Sequence, residues 1–480
     1  MKKPFRLVYT ILFLLLLCLP MVLMPFLRND ASLEKRALAK LPAYLSKGQL
    51  NVDFSDQFEA WVNDHLPLRS QLLTASNTLN GSLLQGQTAN VIVGREGWLF
   101  FASEAADYMD TAPMTEDQLK AAAVTLSLLQ ERTVQSGGHF TFVPVPNKSS
   151  VYGEYMPSRY RAAEETNLTR LCAVLPAYDV TWTDLLSVLT AHKDEGVCHR
   201  RDSHWNYRGA RYGCDAILTS LERAHPDYRN APYTEENTWR GDLDKLLLPA
   251  GGVLDTQINY QVTHRDFLFT YPQGVSGAQE QLAIFMSDRE ERDELFSTRN
   301  KELDDGSTLL MARDSFGRAL LPWMIDSYEN ATFRRQDRPE LNDLAEGTDV
   351  VYEIVERNLS RVIETAPFLY APLRENLSAD GRLTGEALSP VCDLAGYGAH
   401  LYGQLPQEAD LGDGRVYLLL EQDGVTLSLE AFPIFEGKLL KTEGTKGFSA
   451  YLSKELALSG SYTLTVLAGS TAYPCGTLVF

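Results

Sequence analysis

Residues 308–317 read TLLMARDSFG, and this stretch decides the fold. The apolar residues 309–312 predict a short buried strand, and residues 318–328 carry apolar side chains at helical spacing. A strand that turns sharply into a helix presents the turn residue at the carboxyl end of a sheet, where open α/β sheets bind their ligands. Here that residue is Ser315, a candidate nucleophile beside a helix N-terminus that favours an oxyanion. The alternative is that Asp314 and Ser315 only cap the helix.

A second motif supplies the groups that a nucleophilic serine needs. Residues 201–210 read RDSHWNYRGA, in which Asp202 and His204 lie just before a predicted helix at 210–221. In an extended segment these two side chains point to the same side. A serine hydroxyl becomes a useful nucleophile when a histidine accepts its proton and an acid orients that histidine. The two motifs together therefore predict a catalytic unit of Ser315, His204 and Asp202.

Both motifs resemble those of the AlgX/AlgJ-type SGNH-hydrolase-like proteins and of their Gram-positive relatives, the DHHW proteins. Further stretches resemble the same family in the same order: FEAWVNDHLPLR (58–69), VIVGREGWLFF (91–101), FVPVPNKSSVYGEYMP (142–157) and VYEIVERNL (351–359). Arg313 replaces the family's usual glycine, and Ser203 replaces the histidine in the middle of the DHHW signature. The resemblance implies an SGNH-hydrolase-like α/β fold, a parallel sheet with helices on both faces, in which the Asp/His pair precedes the serine.

The resemblance also implies a function. It implies serine-dependent O-acetylation of a cell-surface or exported polysaccharide, with a membrane-bound O-acyltransferase as the source of the acetyl group. No cofactor and no resident metal are expected. Three alternatives stay open: a carbohydrate acetylesterase with the same triad, a non-catalytic glycan-binding surface protein, and a metal-dependent phosphoesterase built on His199, Asp202 and His204.

Besides the triad, five residues beside the predicted strand ends are candidates for oxyanion or substrate contacts: Asn147, Lys148, Trp205, Arg313 and Arg357. Asn147 and Lys148 follow a predicted buried strand at 139–145, and the alternative for them is an ordinary turn. Arg357 follows a predicted strand at 350–355, where bracing the site is the alternative to binding substrate.

Composition excludes several classes of function. The chain has 480 residues, of which 44% are hydrophobic and 22% charged, as in globular proteins of more than one domain. A net charge of -19 argues against nucleic-acid binding. The six cysteines show no C-x-x-C spacing, which gives a zinc site or a thioredoxin-like site little support.

The N-terminus predicts a membrane anchor. A basic stretch at 1–6 precedes an apolar run at 7–27 that is long enough to span a bilayer, and its basic flank predicts a cytoplasmic N-terminus. A cleaved signal peptide is the alternative, but no A-x-A-like site follows. We therefore expect a single-pass signal anchor in the cell membrane, with the catalytic body outside the cytoplasm.

The pattern along the chain predicts four parts, with a linker at 377–389 between the third and the fourth. Beyond the linker the hydrophobic period changes to two, which indicates a β-sandwich-like domain that is either carbohydrate-binding or a structural cap. Cys392 and Cys475 lie near its two ends, and a disulfide between them is predicted by elimination. The predicted parts are a tip and anchor at 1–28, a juxtamembrane helical segment at 29–90, an SGNH-hydrolase-like domain at 91–376 with an irregular insertion at 230–307, and the β-sandwich-like domain at 390–480.

Overall fold

The structure is a computed structural model. It describes residues 3–24, 26–27, 39–46, 49–83, 88, 90–264, 266–272, 274–276, 294–336, 338–437, 439–440 and 444–480. The predicted insertion at 230–307 therefore lies partly outside the described residues.

The N-terminal part consists of three helices and a short two-stranded ribbon. These are α1 (Lys3–Leu23), β1 (Leu45–Ser46), β2 (Gln49–Leu50), α2 (Phe54–His65) and α3 (Arg69–Leu83). Pro67 separates two of these helices, since α2 ends two residues before it and α3 begins two residues after it. Among the described residues no helix has the length and apolarity needed to cross a membrane, so the transmembrane helix expected at 7–27 is not found there.

The central part alternates strands and helices. Its strands are β3 (Val91–Val93), β4 (Leu99–Phe101), β5 (Phe140–Val145), β6 (Tyr233–Trp239), β7 (Asp255–Tyr260), β8 (Phe267–Tyr271), β9 (Gly274–Ser276), β10 (Leu295–Asn300), β11 (Thr308–Arg313), β12 (Asn330–Arg335) and β13 (Thr348–Val355). Its helices are α4 (Glu104–Tyr108), α5 (Glu116–Gln135), α6 (Lys148–Val151), α7 (Asn167–Val174), α8 (Leu185–Ala191), α9 (Tyr207–Ser220), α10 (Asp242–Leu247), α11 (Leu321–Ser327) and α12 (Arg361–Glu364).

One seven-stranded sheet organises this part, in the order β5-β13-β11-β12-β10-β8-β9. Strands β5, β13, β11 and β12 run parallel to one another. Strands β10, β8 and β9 continue the sheet in antiparallel pairs. The expectation of a parallel sheet therefore holds for the half that carries Ser315. The insertion expected to be irregular supplies the other half, because aromatic residues alternate inward along β8 and Phe296, Thr298 and Asn300 alternate inward along β10.

Helices cover both faces of the sheet, as the α/β prediction requires. On β11 the side chains of Leu310 and Ala312 belong to the core that contains α5. Leu309 and Met311 point the opposite way, into the core that contains α9 and α11. The sheet is thus buried on both sides, which fixes the register and holds the end of β11 in one place.

The C-terminal part is rich in β-strands. They are β14 (Leu383–Thr384), β15 (Val391–Ala395), β16 (Gly398–Gln404), β17 (Val416–Gln422), β18 (Val425–Phe435), β19 (Lys446–Ser453), β20 (Ser461–Ala468) and β21 (Thr471–Val479). Their order is β14-β21-β20-β17-β18-β19-β16-β15. The first half of the long strand β18 pairs with β17 and its second half pairs with β19, so one strand joins the two halves of this sheet.

This β-rich part packs directly on α5 and shares one hydrophobic core with it. At the edge of that contact Lys446 Nζ lies 2.9 Å from Asp117 Oδ2, and Arg374 Nη2 lies 2.6 Å from Glu131 Oε2. The segment expected to be a linker is also docked, since β14 within it pairs with β21. A continuous core favours a structural cap over a separately tethered module.

The predicted disulfide is wrong. Cys392 and Cys475 are both free thiols, as are the other four cysteines of the chain. Cys392 lies on β15 and Cys475 on β21, and five strands stand between these two in the sheet order. The two ends of the domain in sequence are therefore not neighbours along the sheet.

Candidate active site

The nucleophile turn follows β11 directly. Asp314 Oδ2 accepts the Val355 N–H at 2.9 Å, and Asp314 Oδ1 accepts the Phe316 N–H at 2.7 Å. Glu353 Oε2 accepts the N–H groups of Asp314 and Gly317, each at 3.0 Å. Three of these hydrogen bonds fasten the turn to the neighbouring strand β13, and the bond from Phe316 to Asp314 closes the turn itself. They also occupy the N–H groups of Phe316 and Gly317, so the first turn after the serine does not offer them to an oxyanion, contrary to the expectation from the sequence.

The Ser315 hydroxyl makes no capping hydrogen bond. The carboxylate of Asp314 instead takes the N–H of Phe316, so the capping alternative applies to Asp314 and not to Ser315. A short 3-10 helix, Phe316–Leu320, leads from the turn into α11. The serine side chain is therefore available for a partner outside its own turn.

That partner is His204. Ser315 Oγ donates to His204 Nε2 at 3.0 Å, and His204 Nδ1 donates to Asp202 Oδ1 at 2.7 Å. The carboxylate of Asp202 can only accept, which places the ring proton on Nδ1 and leaves Nε2 as the acceptor. Residues 111 positions apart in the chain thus form one hydrogen-bonded line from hydroxyl to imidazole to carboxylate. The geometry is that of a nucleophile, its base and the residue that orients the base.

The charges of this pair are set by burial and by each other. Burial alone would raise the pKa of Asp202, but its hydrogen bond from His204 and the charge of that ring hold the pKa well below its usual range. Burial is the largest single effect on His204 and lowers its pKa, yet the hydrogen bond to Asp202 and the charges of Asp202 and Asp242 together outweigh burial, and the net shift is upward. The His204 side chain keeps 27% of its surface exposed, so a substrate can approach it.

Asp202 is held by residues that the motif does not contain. Its Oδ2 accepts Trp239 Nε1 at 3.1 Å and the Asp242 N–H at 2.9 Å. Both donors come from the insertion, Trp239 from the end of β6 and Asp242 from the start of α10. In addition, Lys148 Nζ donates to the backbone carbonyls of His199, Arg200 and Asp202. Residues 196–201 form a loop with one isolated bridge, and these contacts hold the loop in place of strand pairing.

A second carboxylate lies behind the imidazole. Ser203 Oγ donates to Asp242 Oδ2 at 2.6 Å and lies 3.2 Å from His204 Nδ1. The Ser203 N–H also donates to Asp242 Oδ1, at 2.7 Å. Asp242 Oδ2 itself is 3.7 Å from His204 Nδ1. The sequence contains no signal for Asp242, since it is 38 residues beyond His204 and in no motif with it.

Four of the five candidate substrate contacts are engaged inside the protein. Lys148 is buried and braces the Asp202 segment, and burial lowers its pKa. Asn147 is fully buried and its Nδ2 donates to Asp107 Oδ2 at 3.1 Å. Trp205 is buried and its Nε1 donates to the Phe316 carbonyl at 2.9 Å. These three residues brace the site. The fourth engaged candidate is Arg313.

Arg313 is fully buried, and its Nη1 donates to the Asp314 carbonyl at 3.0 Å. Its stem fills the space beside Gly317, where a Cβ would lie 2.7 Å from Arg313 Cβ and 2.6 Å from Glu353 Oε2. Glycine is therefore required at 317 by close approach. Arg313 thus packs under the turn with no surface exposed to a substrate.

Arg357 is the candidate that faces the site. Its guanidinium lies 5.1 Å from the centre of the Phe316 ring and 5.4 Å from that of Phe101. The Phe316 ring in turn lies 4.6 Å from the His204 ring. The positive charge of Arg357 opposes protonation of His204. Among the predicted contact residues, Arg357 is thus the cation that lies beside the His204 imidazole.

The metal alternative fits this arrangement less well. His199 stacks on Trp239 at 5.0 Å between ring centres, and its Nδ1 is 4.0 Å from Asp255 Oδ2. Among the described residues, the group with ligand atoms close together consists of Asp202, His204 and Asp242, without His199. Both ring nitrogens of His204 are already hydrogen-bonded, to Asp202 and to Ser315. The donor set is arranged for proton transfer to and from a hydroxyl.

The central part of the chain is similar to SGNH hydrolase-like proteins. Residues 91–267 match the family model described as SGNH hydrolase-like domain, acetyltransferase AlgX. The chain resembles the probable alginate O-acetylase AlgJ of Pseudomonas aeruginosa, with 27% identity over 205 residues that cover 41% of this chain and 51% of AlgJ. The match thus spans about half the length of that relative. The resemblance predicted from the motifs is confirmed.

Two solved structures are also similar to the chain. A DHHW family protein from Eubacterium siraeum is 18% identical, covers 56% of this chain and 95% of its own, and has a TM-score of 0.41. The O-acetyltransferase domain of Pseudomonas putida AlgJ is 19% identical, covers 56% of this chain and 92% of its own, and has a TM-score of 0.36.

Proposed function

We propose that this protein is an extracytoplasmic serine-dependent O-acetyltransferase that acts on a cell-surface or exported polysaccharide. The observation that carries the proposal is the hydrogen-bonded line from Ser315 Oγ through His204 to Asp202. The family model that matches residues 91–267 and the AlgJ relative support acetyl as the group and a polysaccharide as the acceptor.

The first half-reaction forms an acetyl-enzyme. Ser315 Oγ attacks the acetyl carbonyl of the donor while its proton passes to His204 Nε2, and Asp202 stabilises the imidazolium that results. We assign the negative oxygen of the tetrahedral intermediate to the Ser315 N–H and to the guanidinium of Arg357. The bond from carbonyl carbon to leaving group then breaks, and the leaving group takes the proton from His204.

The second half-reaction transfers the acetyl group. A sugar hydroxyl gives its proton to His204 Nε2 and attacks the acetyl carbon, and Ser315 leaves with the proton returned by His204. If water attacks instead, the same residues make the protein an acetylesterase. The donor is proposed to be an acetyl group passed on by a membrane-bound O-acyltransferase.

The proposed location rests on the sequence. Lys2, Lys3 and Arg6 precede the apolar run, and positive charge is retained on the cytoplasmic side of a membrane. We therefore place the body outside the cytoplasm, attached to the cell membrane by its N-terminal segment. A C-terminal reporter that is active only in the cytoplasm would contradict this placement.

The decisive experiment follows the acetyl group. Purified protein is given an activated acetyl ester and a polysaccharide acceptor, and the products are separated into acetylated glycan and free acetate. Mass spectrometry of quenched protein is expected to show one acetyl group on Ser315. Ser315→Ala should remove ester turnover, and His204→Ala should cost about as much. The double variant should be little worse than either, because the two act as a unit. Ser461→Ala, at an exposed position in β20, is the matched control.

Each outcome selects one function. Acetylated glycan supports the transferase, whereas acetate alone in the presence of glycan supports the esterase. Turnover that survives in folded Ser315→Ala removes the nucleophile assignment. Turnover that is lost with a chelator and restored by metal would support the phosphoesterase type of site instead.

The pH dependence follows from the pKa of His204. The imidazole must be neutral to accept the serine proton, and its pKa is raised by Asp202. The rate constant kcat/KM for the test ester should therefore rise with pH through a value above the ordinary histidine pKa of about 6.5. Asp202→Asn should move this rise to lower pH while it lowers the plateau. A rise that stays in place in Asp202→Asn would mean that another group is the base.

A further inference from the structure

The residue between the two motif positions joins His204 to a carboxylate from a distant helix. The Ser203 proton points to Asp242 Oδ2, 2.6 Å from its oxygen, because the carboxylate can only accept. The lone pairs of Ser203 Oγ are thereby left facing His204 Nδ1 at 3.2 Å. The Nδ1 proton is thus shared between Asp202, at 2.7 Å, and the Ser203 hydroxyl.

We propose that Asp242 is a positioning residue for His204, a second carboxylate that acts on the imidazole through the Ser203 hydroxyl. The reacting bond is not touched by Asp242. Its effect on turnover rests on the function proposed above, whereas its effect on the His204 ring does not.

Asp242 is built into the site by backbone contacts. Its N–H donates to Asp202 Oδ2 at 2.9 Å, and its Oδ1 accepts the Ser203 N–H at 2.7 Å. The two segments approach so closely at Gly241 that a Cβ there would lie 2.1 Å from the Arg201 carbonyl oxygen. Asp202 and Asp242 therefore clamp each other's segments, and α10 cannot shift without moving the residue that orients His204.

The charges around His204 explain the use of a second carboxylate. Asp202 and Asp242 face the ring from one side, and Arg357 is the cation that opposes its protonation. When the Ser315 proton reaches Nε2, the ring becomes a cation with two carboxylates behind it. His199, which faces Asp202, has its pKa lowered by burial and therefore tends to the neutral form. Burial and Asp202 raise the pKa of Asp242, so its contribution grows as pH rises and Asp242 ionises.

The test measures the ring itself. Side-chain NMR of the full-length protein gives the pKa of His204 in wild type, Ser203→Ala, Ser203→Thr, Asp242→Asn and the Ser203→Ala/Asp242→Asn double variant. Asp242→Asn should lower this pKa by about one unit, the lower end of the effect of a nearby opposite charge, because the Asp242 side chain is 32% exposed. Ser203→Ala should lower it less, the double variant should match Asp242→Asn, and Ser203→Thr should keep the wild-type value since it keeps the hydroxyl.

A matched control separates charge from loosening of the loop. Asp255 accepts the N–H groups of Arg200 and Arg201 in the same segment, at 2.6 and 3.1 Å, but is not among the charges that act on His204. Asp255→Asn should therefore leave the His204 pKa in place. If it lowers that pKa as much as Asp242→Asn does, the effect is structural and the proposal fails.

Two further results would overturn the proposal. One is an unchanged His204 pKa in folded Asp242→Asn. The other is a set of shifts for Ser203→Ala and Asp242→Asn that simply add in the double variant, which would mean two separate paths. Because the titration needs no turnover, an active Ser315→Ala variant would remove the proposed function and leave this inference standing. With the function intact, the acid limb of kcat/KM should move with the NMR pKa.

Discussion

Replacement of Glu353 tests how the nucleophile turn is held. Glu353 is buried on β13, and its Oε2 accepts the N–H groups of Asp314 and Gly317, which flank Ser315. Burial and the neighbouring Asp314 raise the pKa of Glu353 well above its usual range. A protonated glutamic acid and a glutamine have nearly the same shape and can both offer an oxygen to these donors. Glu353→Gln should therefore be tolerated, and Glu353→Ala should not.

The magnitude follows from the number of donors left without an acceptor. Alanine leaves the N–H groups of Asp314 and Gly317 unsatisfied, and each such group costs about 1–3 kcal/mol. Glu353→Ala should thus reduce the free energy of unfolding by about 2–6 kcal/mol, before any cavity adds to the loss. Turnover of the test ester should fall as well, because the turn that aims Ser315 at His204 loses two of the three hydrogen bonds that fasten it to β13.

Denaturant titration and the ester assay measure both effects. Since the folded-state pKa of Glu353 is raised, the folded protein holds a proton that the unfolded chain releases, so wild-type stability falls as pH rises from the ordinary glutamate range toward that raised pKa. Glu353→Gln cannot titrate, and its stability relative to wild type should increase over the same range. A stable, fully active Glu353→Ala would refute the reasoning. If Glu353→Gln is as damaging as Glu353→Ala, a negative charge and not an acceptor holds the turn.

Three further changes test the site and the fold. Arg357→Ala should lower kcat for the test ester by about 10²-fold, as loss of one oxyanion donor does. Arg357→Lys should restore part of this rate. An unchanged kcat in Arg357→Ala would mean that Arg357 only braces the site. Gly317→Ala should destabilise the protein and lower turnover, because its Cβ would meet Glu353 Oε2 at 2.6 Å, whereas Gly396→Ala, with open space around it, is the control. Alkylation of non-reduced protein should modify both Cys392 and Cys475 in the β-rich part. Protection of these two thiols would contradict the structure.

Local sequence patterns predicted much of the fold. The Thr-x-x-Gln pattern at 115–118 forms a capping box at the start of α5, with the Thr115 N–H donating to Gln118 Oε1 at 2.8 Å and the Gln118 N–H donating to Thr115 Oγ1 at 3.3 Å. The sequence likewise indicated the strand and turn around Ser315 and the change of hydrophobic period beyond residue 390. Such features depend on neighbours a few residues apart, and side-chain period and capping chemistry act over that distance.

The sequence also determined which residues are candidates for the triad. A nucleophilic serine needs a base and an orienting acid, and this need singles out Asp202, His204 and Ser315 within the two motifs. It did not determine which of the other candidates face a substrate. Lys148 and Arg357 are both cations at strand ends. Lys148 is buried against three backbone carbonyls, whereas Arg357 lies beside the Phe316 ring.

Only the tertiary structure brought in the residues that support the triad. Trp239 and Asp242 are 37 and 40 positions from Asp202, and Glu353 is 39 positions from Asp314. The insertion that supplies the first two was expected to be irregular, because its strand β8 pairs with β10, and β10 pairs with β12, across long stretches of chain. No period or spacing in the sequence encodes such contacts. They are fixed by the order of strands in the sheet, which decides the ends that meet at one edge.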